Sequence, residues 1–152
     1  MTTQHWHDMA ADLSAFSTVA VTEGGTVYAW GRGGEGQLGL RSRQHGLQPL
    51  RVGGAELHGD SPVLLVAAGA SHLAAVAEDG AVRTWGEGNT GQLGHGDVED
   101  RVRPTRLGRE VFAGAPVVLV ACGSSFTMVL TGVGSVYSCR SSGSWGEPAS
   151  CQ

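Results

Sequence analysis

The sequence predicts an all-β fold assembled from repeated units of short antiparallel strands. The first observation is an internal repeat, because the run Val27–Gly39 recurs 55 residues later as Val82–Gly94. The second is the glycine content: 25 of the 152 residues are glycine, more than twice the usual share of about 7%. The third is the pair Asp79-Gly80 between two strand-like runs, which is a strong hairpin signal.

Each unit contains four strand-like runs. The first run, Val63–Ala67, recurs as Val117–Ala121, and because it is apolar on both faces we predict burial on both sides. The runs Ser71–Ala77 and Ala81–Trp85 form the hairpin. A fourth run begins with proline, which suits an edge strand because proline cannot donate to the ladder. This fourth run is Pro49–Val52 in one unit and Pro104–Leu107 in the next.

Four strands in about 54 residues is the arithmetic of a propeller blade. The sequence therefore predicts an incomplete β-propeller of four-stranded antiparallel blades. We divide it into a poorly defined N-terminal segment (1–15), a partial first repeat (16–62), a complete second repeat (63–116) and a truncated, degraded third repeat (117–152). In the third repeat, Gly143–Gly146 is interpreted as a degraded Gly-Gln-Leu-Gly. The weak pattern Trp6–Leu13 is the best helix candidate.

Composition and charge exclude several functions. All ten basic residues are arginine, which excludes a catalytic lysine and a Walker-type phosphate lysine. The net charge of -4 argues against a nucleic-acid binder, which needs a basic patch. The longest apolar stretch is too short for a bilayer, which takes about 20 residues, and the start lacks the features of a signal peptide. Three cysteines without CxxC spacing fit a reducing compartment. We expect an intracellular protein, cytoplasmic or nuclear, with no membrane contact, metal or cofactor.

Two Gly-x-Gly-x-x-Gly runs raise the question of dinucleotide binding. That function needs a helix directly after the glycines, and Gln-Leu-Gly cannot open an amphipathic helix. We therefore predict that the glycines allow close backbone approach in a loop, and that the leucines fill the space between blades. The residues are Gly31, Gly33, Gly36, Leu38 and Gly39 in the first copy, and Gly86, Gly88, Gly91, Leu93 and Gly94 in the second.

Aromatic, histidine and cysteine positions are also interpreted as structural. Trp30 and Trp85 end equivalent strands and are predicted to pack between blades, with the indole N–H donating to a carbonyl. His72, which follows Gly69, has Phe126, which follows Gly123, and Ser17 as its counterparts, so packing is favoured over catalysis. Cys122 and Cys139 are interpreted as small apolar fillers. His5, His7 and Asp8 are interpreted as a solvated tail rather than a metal cluster.

The repeated motifs resemble the repeat of the regulator of chromosome condensation family. The resemblance rests on Trp-Gly-x-Gly-x-x-Gly-Gln-Leu-Gly at Trp30–Gly39 and Trp85–Gly94, with Ala67–His72 and Glu78–Gly80 in support. It implies a seven-bladed ring that serves as an interaction platform. Family members include exchange factors for the small GTPase Ran, modules of HECT-type ubiquitin ligases and the plant UV-B photoreceptor. The Gly-Trp-Arg-His-Thr signature of that photoreceptor does not occur here.

We expect a non-enzymatic protein–protein interaction module. The alternative, carried by the resemblance alone, is a guanine nucleotide exchange factor for a small GTPase, but the sequence offers no candidate for the β-wedge that exchange requires. Variable segments of repeat scaffolds carry partner contacts, although they also serve as solvated linkers. The candidate contact residues are Arg41, Arg43, His45, Asp97, Glu99, Asp100 and Arg101.

The length of the chain conflicts with a closed ring. A blade needs a neighbour on each side, and seven units require roughly 380 residues. We favour a fragment of a larger protein. The alternatives are an open array and assembly, either with copies of the chain or with other propeller repeats, through open blade edges.

Overall fold

The computed structural model describes residues 5–12, 17–58, 61–139 and 143–146. It confirms the all-β prediction, with three four-stranded antiparallel sheets that follow one another along the chain. Sheet 1 contains β1 (Trp6–Asp12), β2 (Ser17–Thr22), β3 (Val27–Gly31) and β4 (Gly46–Arg51). Sheet 2 contains β5 (Val63–Ala68), β6 (His72–Ala77), β7 (Val82–Gly86) and β8 (Arg101–Arg106). Sheet 3 contains β9 (Val117–Cys122), β10 (Thr127–Thr131), β11 (Val136–Cys139) and β12 (Trp145–Gly146).

Two short helical segments lie between the sheets. They are α1 (Ala55–His58), before sheet 2, and a 3-10 turn (Arg109–Phe112), before sheet 3. Each places one apolar side chain, Leu57 or Phe112, in the core. Within the described part of the chain, no helix has the length and apolar character needed to cross a membrane.

The strand register reproduces the repeat that the sequence predicts. The central hairpin of sheet 2 closes at the pair Val76↔Val82, and the corresponding pair in sheet 3 is Leu130↔Val136. In the turn of sheet 2, Gly80 has a φ of 77°, a left-handed conformation that glycine adopts without steric cost. The side chain of Asp79 accepts a hydrogen bond from the Ala81 N–H at 3.0 Å, so Asp-Gly fixes this turn locally.

The N-terminal segment differs from the prediction. Residues 6–12 form β1, which pairs with β2, and are neither helical nor a solvated tail. Asp8 anchors this strand, because its Oδ2 accepts a hydrogen bond from the backbone N–H of Val66 at 3.1 Å. His5 and His7 are exposed. The physical reason is the free edge of β2, whose backbone groups need a ladder partner.

The third repeat also differs from the prediction. Trp145–Gly146 is the outer strand β12, paired with β11 through Cys139↔Trp145, and is not a degraded Gly-Gln-Leu-Gly loop. In sheet 3, β11 ends at Cys139 and β12 begins at Trp145, whereas in sheet 2 β7 ends at Gly86 and β8 begins at Arg101. The fourth strand therefore begins sooner after the third in sheet 3 than in sheet 2.

The core lies in two seams between neighbouring sheets. The first seam packs sheet 1 against sheet 2, and the second packs sheet 2 against sheet 3. The predicted burial on both sides is wrong for both strands, because Leu119 of β9 is 51% exposed and Leu64 of β5 is 39% exposed. Sheet 3 has only one face covered by another described sheet, so the apolar residues of β9 on the other face meet solvent.

Candidate functional site

The two glycine-rich loops are built around a buried glutamine. In the second loop, Gln92 Oε1 accepts a hydrogen bond from the Thr90 N–H at 2.9 Å. In the first loop, Gln37 Oε1 accepts one from the Glu35 N–H at 2.9 Å. Both glutamines are fully buried. Their amides therefore replace water as partners for the loop backbone.

The second glycine of each motif allows two stretches of backbone to approach closely. A Cβ added at Gly33 would overlap the carbonyl oxygen of Gln44, and one added at Gly88 would overlap that of Glu99. Turns rather than a helix follow these glycines, so no helix N-terminus faces them as a dinucleotide site requires. The motif therefore shapes the loop backbone.

Trp85 occupies the first seam in the manner predicted for both tryptophans. Its side chain is fully buried, and its Nε1–H donates to the carbonyl of Gln37 at 2.9 Å. Leu38 belongs to the same buried cluster. The tryptophan of one sheet is therefore bound by the loop of the preceding sheet.

At the second seam, two residues divide the role that Trp85 has at the first. Cys139 stands at the repeat position of tryptophan, and its Sγ donates to the carbonyl of Gln92 at 3.1 Å. Trp145 supplies the indole, donating through Nε1 to the carbonyl of Gly94 at 2.9 Å, with its ring centre 5.0 Å from that of Phe112. Sequence reasoning missed Trp145 because it lies six positions after the expected place.

Trp30 does not occupy a described seam. Its ring centre lies 6.5 Å from that of Trp6, and Trp6 in turn makes an edge-on contact with Tyr28, with 5.6 Å between centroids. These three rings form an aromatic cluster on the face of sheet 1 that points away from sheet 2. The predicted interblade packing is therefore found for Trp85 and not for Trp30.

His72 is a structural residue of the second seam. Thr127 Oγ1 donates to the carbonyl of Gln92 at 2.7 Å, so its hydroxyl must accept at the 3.0 Å contact with His72 Nε2. The imidazole is fully buried and lies over Gly69, where a Cβ would overlap the ring. In sheet 3, Phe126 lies over Gly123 in the same way. This explains glycine at both positions.

The predicted contact residues are brought together by an ion pair between the two loops. Arg43 Nη2 lies 3.0 Å from Asp100 Oδ2, which joins the first loop to the second. Arg101 pairs with Asp97 at 2.6 Å. These four charges therefore neutralise one another in pairs.

The remaining predicted contact residues are His45, Arg41 and Glu99. Two of them make hydrogen bonds that involve backbone groups, and the third is exposed. His45 Nδ1 accepts the Gly33 N–H at 3.0 Å. The backbone N–H of Arg41 donates to Val102 of the neighbouring sheet at 2.8 Å, while its side chain is exposed. Glu99 is exposed, next to Val98, which is 50% exposed. The tip of the second loop therefore offers both a charge and an apolar group to solvent.

A cavity of about 380 Å³ opens beside the second seam, within the size range of ligand pockets. Its lining includes the side chains of His95, Leu107, Glu110, Val111 and Trp145. A smaller cavity of about 220 Å³ at the first seam is lined by the repeat counterparts Gly39, Leu40, Arg41 and Gly53. The sequence did not predict the larger cavity, because its walls come from two sheets. The 55-residue spacing of Gly94 and Gly39 is the signal that could have located this cavity and its smaller repeat counterpart.

The pKa of His95 is lowered in the wall of the larger cavity. Burial is the main cause that lowers the pKa of its imidazole, and the positive charge of Arg101 lowers it further. Its Nε2 lies 2.9 Å from Thr84 Oγ1. Because this hydroxyl donates to the carbonyl of Leu93, the imidazole donates to the hydroxyl.

The two described thiols are protected from ionisation. Burial raises the pKa of Cys122 to about 12 and that of Cys139 to about 11. Because the thiolate is the reactive form, we expect both to resist alkylation at neutral pH in a Cys151→Ser variant. Labelling rates with and without urea test this, since unfolding should expose both thiols. Rapid labelling of the folded variant would contradict the burial.

The first loop lacks one hydrogen bond that the second possesses. Gln92 Nε2 donates to Glu87 Oε2 at 3.4 Å. Gln37 Nε2 is buried without a hydrogen-bond partner among the described residues, and Arg32 stands at the repeat position of Glu87. We expect Arg32→Glu to raise the free energy of unfolding by about 1 kcal/mol. Urea denaturation measures it. Arg32→Ala is the control, and an equal gain there would show that no hydrogen bond formed.

Together, the repeated sheets, the seam tryptophan and the glutamine-centred loops define a β-propeller repeat protein. The family description "Regulator of chromosome condensation (RCC1) repeat" matches residues 24–76 and 79–130, and a second description of the same repeat matches residues 10–37 and 63–92. The chain belongs to the RCC1 repeat family.

Relatives with different functions share these repeats. The chain is 40% identical over 119 residues to the ultraviolet-B receptor UVR8 of Arabidopsis thaliana, covering 78% of this chain and 26% of the receptor. It is 37% identical to the E3 ubiquitin-protein ligase HERC2 of Homo sapiens, covering 84% of this chain and 2% of the ligase. It is 35% identical to the Protein RCC2 homolog of Danio rerio, covering 86% and 25%.

Solved structures show the same fold. Human WBSCR16 superposes with a TM-score of 0.78 at 28% identity, covering 91% of this chain and 33% of that protein. Prp20p of Saccharomyces cerevisiae, described with its binding to Gsp1p and histones, superposes with a TM-score of 0.73 at 28% identity, covering 92% and 32%. The chain spans about a quarter or less of the curated relatives named above and about a third of these two solved chains.

Proposed function

We propose that the chain is a non-enzymatic protein–protein interaction module. The observation that carries this proposal is that the motif positions of the repeat are buried whereas variable positions are exposed. The motif side chains Gln37, Trp85 and Gln92 are buried and hydrogen-bonded to backbone, so they build a rigid frame. The variable positions on that frame, such as Val98 and Glu99, face solvent.

The contact surface that we propose is the tip of the second loop together with the cavity beside the second seam. Val98 supplies exposed apolar area, and an apolar group flanked by charge is typical of a recognition surface. The cavity offers a pocket for a side chain of the bound protein, and Trp145 and Val111 lie in its wall. Aromatic residues are enriched among those that carry binding energy.

A small GTPase is the first partner class to test. The proposal draws support from Prp20p, whose structure is described with its binding to Gsp1p and histones. Because this chain spans a third of Prp20p, we propose binding and not nucleotide exchange. Purified Gsp1p and histones would serve as probes in an interferometry assay with the full chain, and failure of both would remove these two as partners.

Site-specific photo-crosslinking tests the proposed surface for any protein partner, whether or not it is a GTPase. A photoreactive residue placed at Val98 is expected to form protein adducts in cells, because this position lies at the loop tip. The same residue at Leu47, which is 99% exposed on β4, is the matched control. Adducts that Glu99→Arg abolishes at Val98 would support the proposal. Equal adducts at both positions would contradict it.

A further inference from the structure

We propose that the cavity beside the second seam binds an arginine side chain of a protein partner. This inference rests on the proposed function, because it names the chemical group that the cavity accepts from the bound protein. The two groups that recognise the guanidinium are the carboxylate of Glu110 and the indole of Trp145, which both line the cavity.

The cavity occupies a position that recurs at both seams of the chain. Arg41 lines the smaller cavity and Gly96 lines the larger one, and the two residues hold the same repeat position. Each donates its backbone N–H across the seam at 2.8 Å, Arg41 to the carbonyl of Val102 and Gly96 to that of Gly143. The larger cavity is therefore a feature of the repeat at an interior seam.

The two cavities differ in the charge of their walls. The smaller cavity is lined by Arg41 and Arg51, whereas the larger one is lined by Glu110 and His95. Because burial lowers the pKa of the His95 imidazole, this ring carries no charge above neutral pH. A cleft attracts ions of the sign opposite to its walls, so a cation is drawn to the larger cavity and repelled from the smaller one.

The carboxylate of Glu110 is accessible to a ligand. The side chain is exposed, and among the residues that the structure describes none forms an ion pair or hydrogen bond with its carboxylate. The neighbouring Arg109 instead lies with Nη2 3.7 Å from Asp79 Oδ2. A Cβ added at Gly108 would overlap the Glu110 carboxylate, so glycine leaves room for this group at the cavity wall. A carboxylate without an internal cation favours a cationic ligand.

The indole of Trp145 adds an aromatic surface with a fixed position. Its Nε1–H donates to the carbonyl of Gly94 at 2.9 Å, and a Cβ added at Gly94 would overlap the ring. At the first seam Trp85 packs over Gly39 in the same way but is fully buried, whereas Trp145 is half-buried. The chemistry favours guanidinium over ammonium, because guanidinium is planar, weakly hydrated and stacks on aromatic rings.

The surroundings of the cavity favour a protein segment as the source of the cation. The loop that contributes Gly94 and His95 to the cavity wall continues to its tip at Val98 and Glu99, which are both exposed. Val98 offers apolar area to a residue next to the bound arginine, and Glu99 adds a second negative charge that suits a basic segment. An arginine that enters the cavity therefore leaves its own backbone beside this tip.

Nuclear magnetic resonance of the full chain tests the recognition, with N-acetyl-arginine amide as the probe at slightly alkaline pH. We expect the indole N–H resonance of Trp145 to shift, while that of Trp85 stays in place because the cavity at its seam is lined by arginine. N-acetyl-citrulline amide resembles arginine in shape but carries no charge, so it should cause no shift. N-acetyl-lysine amide should bind several-fold more weakly than the arginine probe.

Glu110→Gln removes the charge and keeps the shape, so it should weaken binding of N-acetyl-arginine amide about tenfold or more. Glu78→Gln is the matched control, because Glu78 is also exposed but lies outside the cavity lining, and it should bind the probe as the native chain does. An otherwise unchanged spectrum verifies the fold of each variant. Absence of the Trp145 shift, equal binding of the citrulline or lysine probe, or full binding by Glu110→Gln would overturn the proposal.

Photo-crosslinking at Val98 in the Glu110→Gln variant separates this proposal from the proposed function. We expect fewer protein adducts than in the native chain, because the partner loses one anchoring contact. Unchanged adducts in a variant that no longer binds the arginine probe would overturn the arginine contact and leave the interaction module standing. Binding of the probe by a native chain that forms no adducts would contradict the proposed function, and with it the assignment of the cavity to a protein side chain.

Discussion

Replacing Trp85 with alanine is expected to lower the free energy of unfolding by about 3–5 kcal/mol. The indole is fully buried in the first seam, so its removal leaves a cavity between sheet 1 and sheet 2. The carbonyl of Gln37 also loses the hydrogen bond from Nε1, which leaves a buried acceptor unsatisfied. Urea denaturation followed by circular dichroism measures the change.

Trp30→Ala is the matched control, because Trp30 occupies the same repeat position. Its side chain is half-buried on the face of sheet 1 that points away from sheet 2, so we expect less than half of the loss caused by Trp85→Ala. Equal losses would show that the first seam is not where tryptophan stabilises the fold.

Replacing Gly33 with alanine is expected to cost about 1–3 kcal/mol or more. The new Cβ would overlap the backbone carbonyl of Gln44, and a backbone atom cannot move aside as a flexible side chain can. The Gly33 N–H is also bound to His45 Nδ1 at 3.0 Å, so the loop resists a shift on both sides. Thermal or urea unfolding would report the loss.

The neighbouring residue supplies the control for this prediction. A Cβ added at Gly34 has no heavy atom within 4 Å, so Gly34→Ala should leave stability nearly unchanged or raise it slightly through the unfolded chain. Similar losses for both substitutions would indicate a general need for flexible glycine in this loop. That outcome would contradict the close approach between Gly33 and Gln44.

The features that the sequence predicted are those that repeat. The two copies of the tryptophan-glycine run predicted that each sheet has four strands and that the strand pairs repeat, because both copies must adopt the same local structure. The hairpin at Asp79-Gly80 was predictable since its conformation depends on adjacent residues alone. The packing of Leu38 and Trp85 between blades was predictable because leucine and tryptophan are the large apolar residues of the motif, and such residues are buried.

The features that the sequence missed depend on contacts without a counterpart in the repeat. β1 has no motif of its own and forms because β2 offers a free edge. Trp145 lies on β12 and supplies the indole that β11 lacks at Cys139. The repeat spacing cannot reveal this replacement, because the two residues belong to different strands. The seam cavity with His95 and Glu110 requires two neighbouring sheets, and its walls lie far apart in the chain.

Amide hydrogen exchange tests most directly the claim that each sheet is stabilised by its neighbours. Sheet 2 is the described sheet with partners on both faces, so the amides of β6 and β7 should exchange more slowly than those of β2, β3, β10 and β11. Equal protection in sheets 2 and 3 would contradict the account.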